Sequence, residues 1–211
     1  LVDRSASPER LLGWVQVAMA LFALATLPVY DRTFELMEYF MKGLARNDAG
    51  YVFFNLAGPG VSALVMLPAT FCAGMTLPLI TGALLRRGAG ERAIGQVYAA
   101  NTLGAIVGVL AAVHLGLPLL GLKGTLILGA GLDAALGLML LYRYSTKRWQ
   151  FPASAAACVL SFLPILLLFE LNANKMTAGV FRHGDLSSSQ EAEILFKTDG
   201  KTATVHLVHY A

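Results

Sequence analysis

Five long apolar stretches constrain what this chain can fold into. They are residues 11–30, 58–85, 94–119, 124–142 and 153–169. A helix that crosses a bilayer needs roughly 20 predominantly apolar residues, and a charged side chain in its interior is costly. Asp133 is the acidic residue inside these stretches, and none of them contains Lys or Arg. The sequence therefore predicts an all-α polytopic membrane helical bundle with about five transmembrane helices.

The composition excludes an ordinary soluble domain. Hydrophobic residues make up 56% of the chain, charged residues make up 14%, and the mean hydropathy is +0.63, whereas a soluble domain has about 25% charged residues. The formal net charge is +3, but the basic residues form short clusters between apolar stretches instead of one basic face. We therefore expect the lipid bilayer as partner and no nucleic acid.

The distribution of Lys and Arg predicts an orientation, because short cytoplasmic loops are enriched in them. One side of the predicted bundle carries Arg4, Arg10, Arg86, Arg87, Arg92, Arg143, Lys147 and Arg148. The other side carries Arg32, Lys42, Arg46 and Lys123, diluted by Asp31, Glu35, Glu38 and Asp48. The first side is expected to be cytoplasmic, and an odd number of crossings places the C-terminal segment outside. We expect a multi-pass integral membrane protein, located in the bacterial inner (plasma) membrane.

Two regions leave alternatives open. Residues 51–85 are too many for one upright helix and contain Pro59, Pro68 and Pro78. They favour a tilted or kinked helix with an interfacial lead-in over a re-entrant loop. Residues 34–46 have apolar side chains at helical spacing. They predict either a short amphipathic helix on the membrane surface or a loop helix packed on the bundle.

The character of the chain changes after residue 171. A polar loop is predicted at Ser187–Ser189, and two β-rich stretches, 192–197 and 202–210, flank Asp199-Gly200, which is a strong hairpin signal. An isolated hairpin is marginal in water, so we expect more sheet to follow in a longer parent protein. The predicted domains are a transmembrane helical domain, 1–171, and a linker with the start of a truncated soluble domain, 172–211.

Three polar residues in the apolar stretches are candidates for an intramembrane site. Asp133 could serve proton coupling or substrate binding, or it could lie shallow enough to reach interfacial water. Asn101 and His114 could line a cavity, or they could form interhelical hydrogen bonds.

Small residues four positions apart let membrane helices approach closely. Gly104 and Gly108 have this spacing, as do Gly131 and Ala135. They predict helix-packing positions, either at a crossing point in a transporter-like bundle or as generic contacts between membrane helices.

Catalytic, cofactor and metal motifs are not evident in the sequence. A loose dinucleotide pattern at Gly129, Gly131 and Ala134 lies in an apolar helix instead of after a strand, so we interpret it as chance. His206 and His209 are three residues apart in a predicted strand and point to opposite faces. We therefore expect no catalytic, cofactor-binding or metal-ligating residues in this segment.

Four segments carry a family resemblance. They are FCAGMTLPLI at 71–80, QVYAANTLGAIVG at 96–108, LPLLGL at 117–122 and EILFKTDGKTATV at 193–205. Together they resemble membrane-fused spermidine synthase-like proteins, in which a transporter-like helical domain precedes a polyamine aminopropyltransferase-like domain. The last segment is similar to the hairpin that opens the synthase part.

This resemblance implies a parent protein that transfers an aminopropyl group from decarboxylated S-adenosylmethionine to a diamine. The family's cofactor-binding and amine-binding motifs belong to the domain after the hairpin, so no functional residue carries over to this chain. We expect the segment to anchor the synthase-like domain, with the rest of the parent chain as a partner and a polyamine as a candidate transported solute. The alternative is a secondary transporter half-bundle of major-facilitator type without enzymatic activity. A domain that uses such a cofactor is expected in the cytoplasm, which conflicts with the outside position predicted from charge.

Overall fold

The computed structural model describes residues 7–44, 47–177, 179, 180, 186, 192–199 and 204–210. The described helices are α1 (Pro8–Gly43), α2 (Asp48–Arg86), α3 (Arg92–Ala111), a π-turn (Ala112–Gly116), α4 (Leu117–Tyr144), α5 (Gln150–Leu167) and α6 (Ala173–Thr177). The described strands are β1 (Ala192–Asp199) and β2 (Thr204–Tyr210). The predicted polar loop Ser187–Ser189, Gly200 of the predicted turn, and the basic residues Arg4 and Arg46 lie outside the described residues.

Four helical stretches in the described part of the chain are long and apolar enough to cross a membrane, when Arg92–Tyr144 is counted as one. That stretch has 53 residues, which would extend about 80 Å if straight. The backbone leaves the helical region at Gly121, with φ 66° and ψ −176°. This conformation is essentially restricted to glycine. The break lies between the third and fourth predicted stretches, so the predicted division into 94–119 and 124–142 agrees with the structure.

The amphipathic segment after the first apolar stretch is not a separate helix. Residues 31–43 continue α1 without interruption, because the sequence between Tyr30 and Gly43 contains neither Pro nor Gly to end the helix. Phe34 and Met37 on its apolar face are buried within the protein. The prediction of a short helix lying by itself on the membrane surface is therefore wrong, and the apolar face packs on protein as in the other interpretation.

Helix α2 runs unbroken through Pro59, Pro68 and Pro78. It has 39 residues, or about 58 Å at 1.5 Å per residue. The structure thus agrees with the favoured helical interpretation of residues 51–85 and not with a re-entrant loop.

The described residues cluster into two compact units. The first comprises residues 7–24 and 68–168. Its core has α1 between two neighbours: Val17, Ala20 and Leu24 pack with α4 and α5, whereas Leu12 and Val15 pack with α2. Helix α3, by contrast, buries only Ala93.

The second unit comprises residues 25–67 together with the described residues after 168. Its core forms around Phe34, Met37 and Val180, with part-buried residues of α1, α2 and α6 and Leu186 against them. The residues that pack against these three are Tyr30, Met41, Phe54, Ala57, Met176 and Leu186.

The predicted C-terminal hairpin is confirmed as an antiparallel pair. The register runs from Ala192 opposite Tyr210 to Asp199 opposite Thr204, with an irregularity between Ile194 and Phe196. Asp199, which the sequence placed between the two β-rich stretches, is therefore paired within β1. The described part of the second strand begins at Thr204, and residues 202 and 203 of the predicted stretch lie outside the described residues.

Candidate functional site

The structure places the three predicted intramembrane polar residues on different elements. Asp133 is half-buried on α4, Asn101 is exposed on α3, and His114 is exposed in the π-turn. The His114 ring Nδ1 lies 3.1 Å from the carbonyl oxygen of Leu110 on its own helix. Among the described residues, no hydrogen bond joins any two of the three, and Asp133 has no hydrogen-bond or ion-pair partner.

Two shallow apolar grooves lie in the described residues. One, in the second unit, has a volume of about 390 Å³ and is lined by residues including Pro28, Arg32 and Leu64. The other, in the first unit, has a volume of about 190 Å³ and lies between Trp14 of α1 and Ser154 of α5. Asp133, Asn101 and His114 line neither groove. The structure thus does not gather the three predicted residues around these grooves.

The π-turn that contains His114 has a local cause. Pro118 follows it, and a proline both lacks an N–H and pushes its ring against the carbonyl four residues earlier. The backbone widens instead, and the N–H of Leu117 donates to the carbonyl of Ala112, five residues back. At the last residue of this π-turn, a Cβ on Gly116 would lie 2.9 Å from the Thr125 side chain. Gly116 therefore permits the close approach of Thr125 beside the break at Gly121.

The tightest backbone-to-backbone approach at a glycine does not involve the predicted positions Gly104, Gly108 and Gly131. Cβ atoms added to Gly104 and Gly108 would have nothing within 4 Å, and one on Gly131 would meet only the Phe162 ring, at 3.8 Å. The closest backbone approach instead joins α1 and α4. A Cβ on Gly137 would lie 2.9 Å from the carbonyl oxygen of Gly13. Sequence reasoning missed this pair, although both glycines lie within predicted spans.

One end of the first unit is fastened by polar contacts between three chain segments. Arg87, just after α2, donates to the Glu9 carboxylate at 3.0 Å and to the Tyr144 hydroxyl at 2.8 Å. Its guanidinium also lies 5.5 Å from the centre of the Tyr144 ring. The hydrogen bonds to Tyr144 and Glu9 raise the pKa of Arg87 above its ordinary value. Arg10 donates to the Thr146 hydroxyl at 2.7 Å.

The opposite end of α4 is fastened to α5. Lys123 donates to the carbonyl oxygen of Leu166 at 3.2 Å. Leu166 belongs to the last turn of α5, whose carbonyls have no partner within the helix, and a cation there also complements the helix dipole. Lys123 and Arg143 therefore lie at opposite ends of an apolar stretch of roughly 30 Å, at 1.5 Å per residue.

An ion cluster in the second unit links the C-terminal segment to α1. The Lys175 ammonium lies 2.8 Å from Asp31 Oδ2 and 2.9 Å from Glu35 Oε1, and the Lys175 and Asp31 side chains are only 19% and 16% exposed. Glu35 also pairs with Arg32 at 3.1 Å. The hydrogen bond to Asp31 is the main cause that raises the pKa of Lys175, and the hydrogen bond from Lys175 is the main cause that lowers the pKa of Glu35.

Two further contacts hold this segment. The Asn172 side chain accepts hydrogen bonds from the backbone N–H groups of Asn174 and Lys175, and the backbone N–H of Asn172 donates to Asp31. The backbone N–H of Leu186 donates to Glu38 at 3.1 Å. Sequence reasoning treated these carboxylates only as diluting charge. The spacing of Asp31, Glu35 and Glu38 places them on one face of a helix, which the sequence alone indicates. Lys175, the partner of Asp31 and Glu35, is 144 residues from Asp31 in the chain, so no local pattern identifies it.

The described residues contain no group of three metal-ligating side chains. Comparison with protein-family models, with curated proteins and with solved structures finds no match to this chain.

Proposed function

We propose that this chain is the membrane portion of a spermidine synthase-like polyamine aminopropyltransferase and anchors the synthase-like domain. The observation that carries the membrane part is the exposure of large apolar side chains along helices of spanning length. Helix α3, for example, exposes Leu103, Ile106 and Val107. Soluble monomers rarely expose large contiguous apolar patches, because water does not solvate them favourably. The apolar tails of lipids solvate such a surface.

Five crossings are the arrangement that we infer. A 53-residue apolar stretch exceeds the roughly 30 Å hydrocarbon thickness more than twofold. The break at Gly121 divides it into two helices, each long enough for one crossing. The distance of roughly 30 Å between Lys123 and Arg143 supports this division, because it places each cation at a membrane boundary.

The anchoring part of the proposal is supported by the contacts of the C-terminal segment. Lys175, Asn172 and Leu186 hold that segment to α1 through three carboxylates. The hairpin that follows exposes Phe196 and Leu207, which are register partners and share one face. A domain built onto this hairpin would cover that face.

The enzymatic part of the proposal depends on the resemblance of residues 71–80, 96–108, 117–122 and 193–205. Its test is an aminopropyltransferase assay on the full-length parent, with decarboxylated S-adenosylmethionine and a panel of diamines. Transfer to any diamine supports the proposal. The absence of product with every diamine would remove the enzymatic part, while flotation of the chain with lipid vesicles tests the membrane part separately.

A secondary transporter half-bundle is the second candidate function. Asp133 favours it, because an acidic residue in an apolar helix without a hydrogen-bond or ion-pair partner in the described residues is the kind of group that couples ions or binds a solute. Uptake of a labelled polyamine into proteoliposomes tests this function. Coupled uptake is expected to be lost in Asp133→Asn, and uptake that survives the substitution would contradict a coupling role.

A further inference from the structure

The turn between α4 and α5 presents a cluster of exposed basic and aromatic side chains, here named the basic turn: Arg143, Lys147, Arg148 and Trp149. The Trp149 side chain is 59% exposed. Beside it, the exposed Tyr142 ring packs edge-on against Phe151, with ring centroids 5.4 Å apart.

The positive charge of the basic turn is not neutralised within the described part of the chain. The side chains of Arg143, Lys147 and Arg148 have no hydrogen bond or ion pair to any described residue. At the same end of the unit, Arg87 is paired with Glu9, and the Arg10 guanidinium donates to Thr146. The basic turn therefore has three cations without a side-chain partner among the described residues, whereas Arg87 is paired with a carboxylate and Arg10 is hydrogen-bonded to a hydroxyl.

The cations of the second unit provide a contrast. Arg32, Lys42 and Lys175 each pair with a carboxylate, at 3.1, 2.8 and 2.8 Å. The three cations of the basic turn thus differ from these three described cations of the second unit, which are neutralised by carboxylates.

We propose that the basic turn binds the headgroups of anionic phospholipids, an inference that rests on the proposed membrane insertion. Arg143 ends the apolar stretch that begins after Lys123, so it lies at the depth of the phosphates if α4 spans the bilayer. Trp and Tyr favour this interfacial layer because they have an apolar ring and a polar group. Lys and Arg near the surface attract anionic headgroups over about a Debye length, about 8 Å at physiological salt.

The pairing of exposed aromatic rings with free cations favours a lipid over free phosphate as the ligand. An inorganic anion needs only charge and hydrogen-bond donors, whereas Trp149 and Tyr142 also offer apolar surface for the upper part of the acyl chains. The chain has two tryptophans, Trp14 and Trp149, so a Trp14→Phe background makes Trp149 the sole tryptophan reporter.

The experiment measures quenching of Trp149 in vesicles that contain phosphatidylcholine and a minority of phosphatidylglycerol. The brominated acyl chains are placed either on the phosphatidylglycerol or on an equal amount of phosphatidylcholine. We expect stronger quenching by brominated phosphatidylglycerol, with the excess declining as salt is raised. In R143Q/K147Q/R148Q the two lipids are expected to quench equally.

The matched control is R32Q/K42Q, which removes two paired cations of the second unit and is expected to keep the excess. The inference would be overturned by equal quenching by the two brominated lipids in the Trp14→Phe protein. It would also be overturned if the excess quenching by brominated phosphatidylglycerol persisted in the triple variant, or if it disappeared in the control. Inorganic phosphate added at constant ionic strength should leave the excess unchanged, and its abolition would assign the cluster to free phosphate instead. Vesicle flotation separates the two proposals. A chain that does not float fails both, whereas one that floats without lipid preference fails only this inference.

Discussion

Gly137 of α4 lies so close to α1 that a Cβ at this position would be 2.8 Å from the backbone nitrogen of Val17. The reciprocal position is similarly tight, because a Cβ on Gly13 would lie 3.2 Å from the Gly137 carbonyl oxygen. Helices that approach backbone to backbone gain dispersion contacts along the crossing, which is a main source of helix association in lipid. The crossing brings Leu141, which is fully buried, into the core of the first unit.

Gly137→Ala is expected to destabilise the first unit by about 1–3 kcal/mol, because the added methyl group would overlap backbone atoms that cannot move independently. Gly129→Ala in the same helix is the matched control, since a Cβ there would have nothing within 4 Å. Thermal unfolding in detergent can be followed with a thiol-reactive dye, because both cysteines, Cys72 and Cys158, are buried and free. An equal melting temperature for the two variants would contradict the close crossing.

Gly121→Ala is expected to lower the free energy of unfolding by about 1–3 kcal/mol. The reason here is backbone strain, because alanine would have to adopt φ 66° and ψ −176°. The same dye assay measures it, with Gly104→Ala as the control in an unconstrained helical position. Because Ala normally favours a helix over Gly, the control should be neutral or more stable. A stabilised Gly121→Ala would mean that the break at residue 121 is not retained.

Lys175→Met is expected to release the segment around α6 from α1. The substitution removes both ion pairs, to Asp31 and Glu35, while it keeps a chain of similar length for packing. Amide hydrogen exchange of residues 172–177 should become several-fold faster, because local opening sets the exchange rate. Lys42→Met, which removes the exposed pair with Glu38, should leave that exchange unchanged. If the amide protection of residues 172–177 were unchanged in Lys175→Met, the ion cluster would not be what holds this segment to α1.

The same fastening is expected to depend on pH on the acid side. Hydrogen bonding from Lys175 lowers the pKa of Glu35 below 4.5. The stabilisation that ionised Glu35 gives to the folded attachment is therefore fully present above pH 4.5, and it is lost as the pH falls through the lower folded-state pKa. The pKa of Lys175 is raised above 10.5. The stabilisation from charged Lys175 is therefore fully present below pH 10.5 and is lost only as the pH rises past the raised folded-state pKa. Glu35 is half-exposed, which weakens the effect by solvent screening.

Amide exchange of the α6 segment, corrected for the intrinsic pH dependence of exchange, measures this behaviour. Protection should be constant between pH 6 and 8 and should fall below about pH 4.5. In Glu35→Gln the acid transition should be smaller. A transition centred near neutral pH would show that another group controls the attachment.

Asp133→Leu is expected to stabilise the chain in detergent or lipid, because the carboxylate lacks a partner among the described residues and an acidic side chain in an apolar helix costs about 2.5–3.5 kcal/mol at the bilayer centre. Asp48→Leu, at the first turn of α2, is the control outside the apolar stretches. A lower melting temperature for Asp133→Leu would indicate that Asp133 has a stabilising partner in the assembled protein.

The sequence predicted the apolar helices because the free energy of placing charge in hydrocarbon is a local property of each stretch. It predicted the C-terminal hairpin for a similar reason, since alternation and turn residues are read within a few positions. The continuous course of α1 through residues 31–43 was missed, because the change from apolar to amphipathic pattern suggested a boundary. In fact neither Pro nor Gly ends the helix there.

The tertiary structure alone decided which small residues form a helix crossing. Gly104, Gly108 and Gly131 have the spacing that suits close packing, yet Gly13 and Gly137 provide the contact. A spacing rule describes one helix, whereas a crossing depends on the rotation and depth of two. The same holds for Lys175 and Asp31, which are far apart in sequence and meet only because the chain returns to α1. Local patterns therefore determined the elements of this protein, and long-range packing determined their partners.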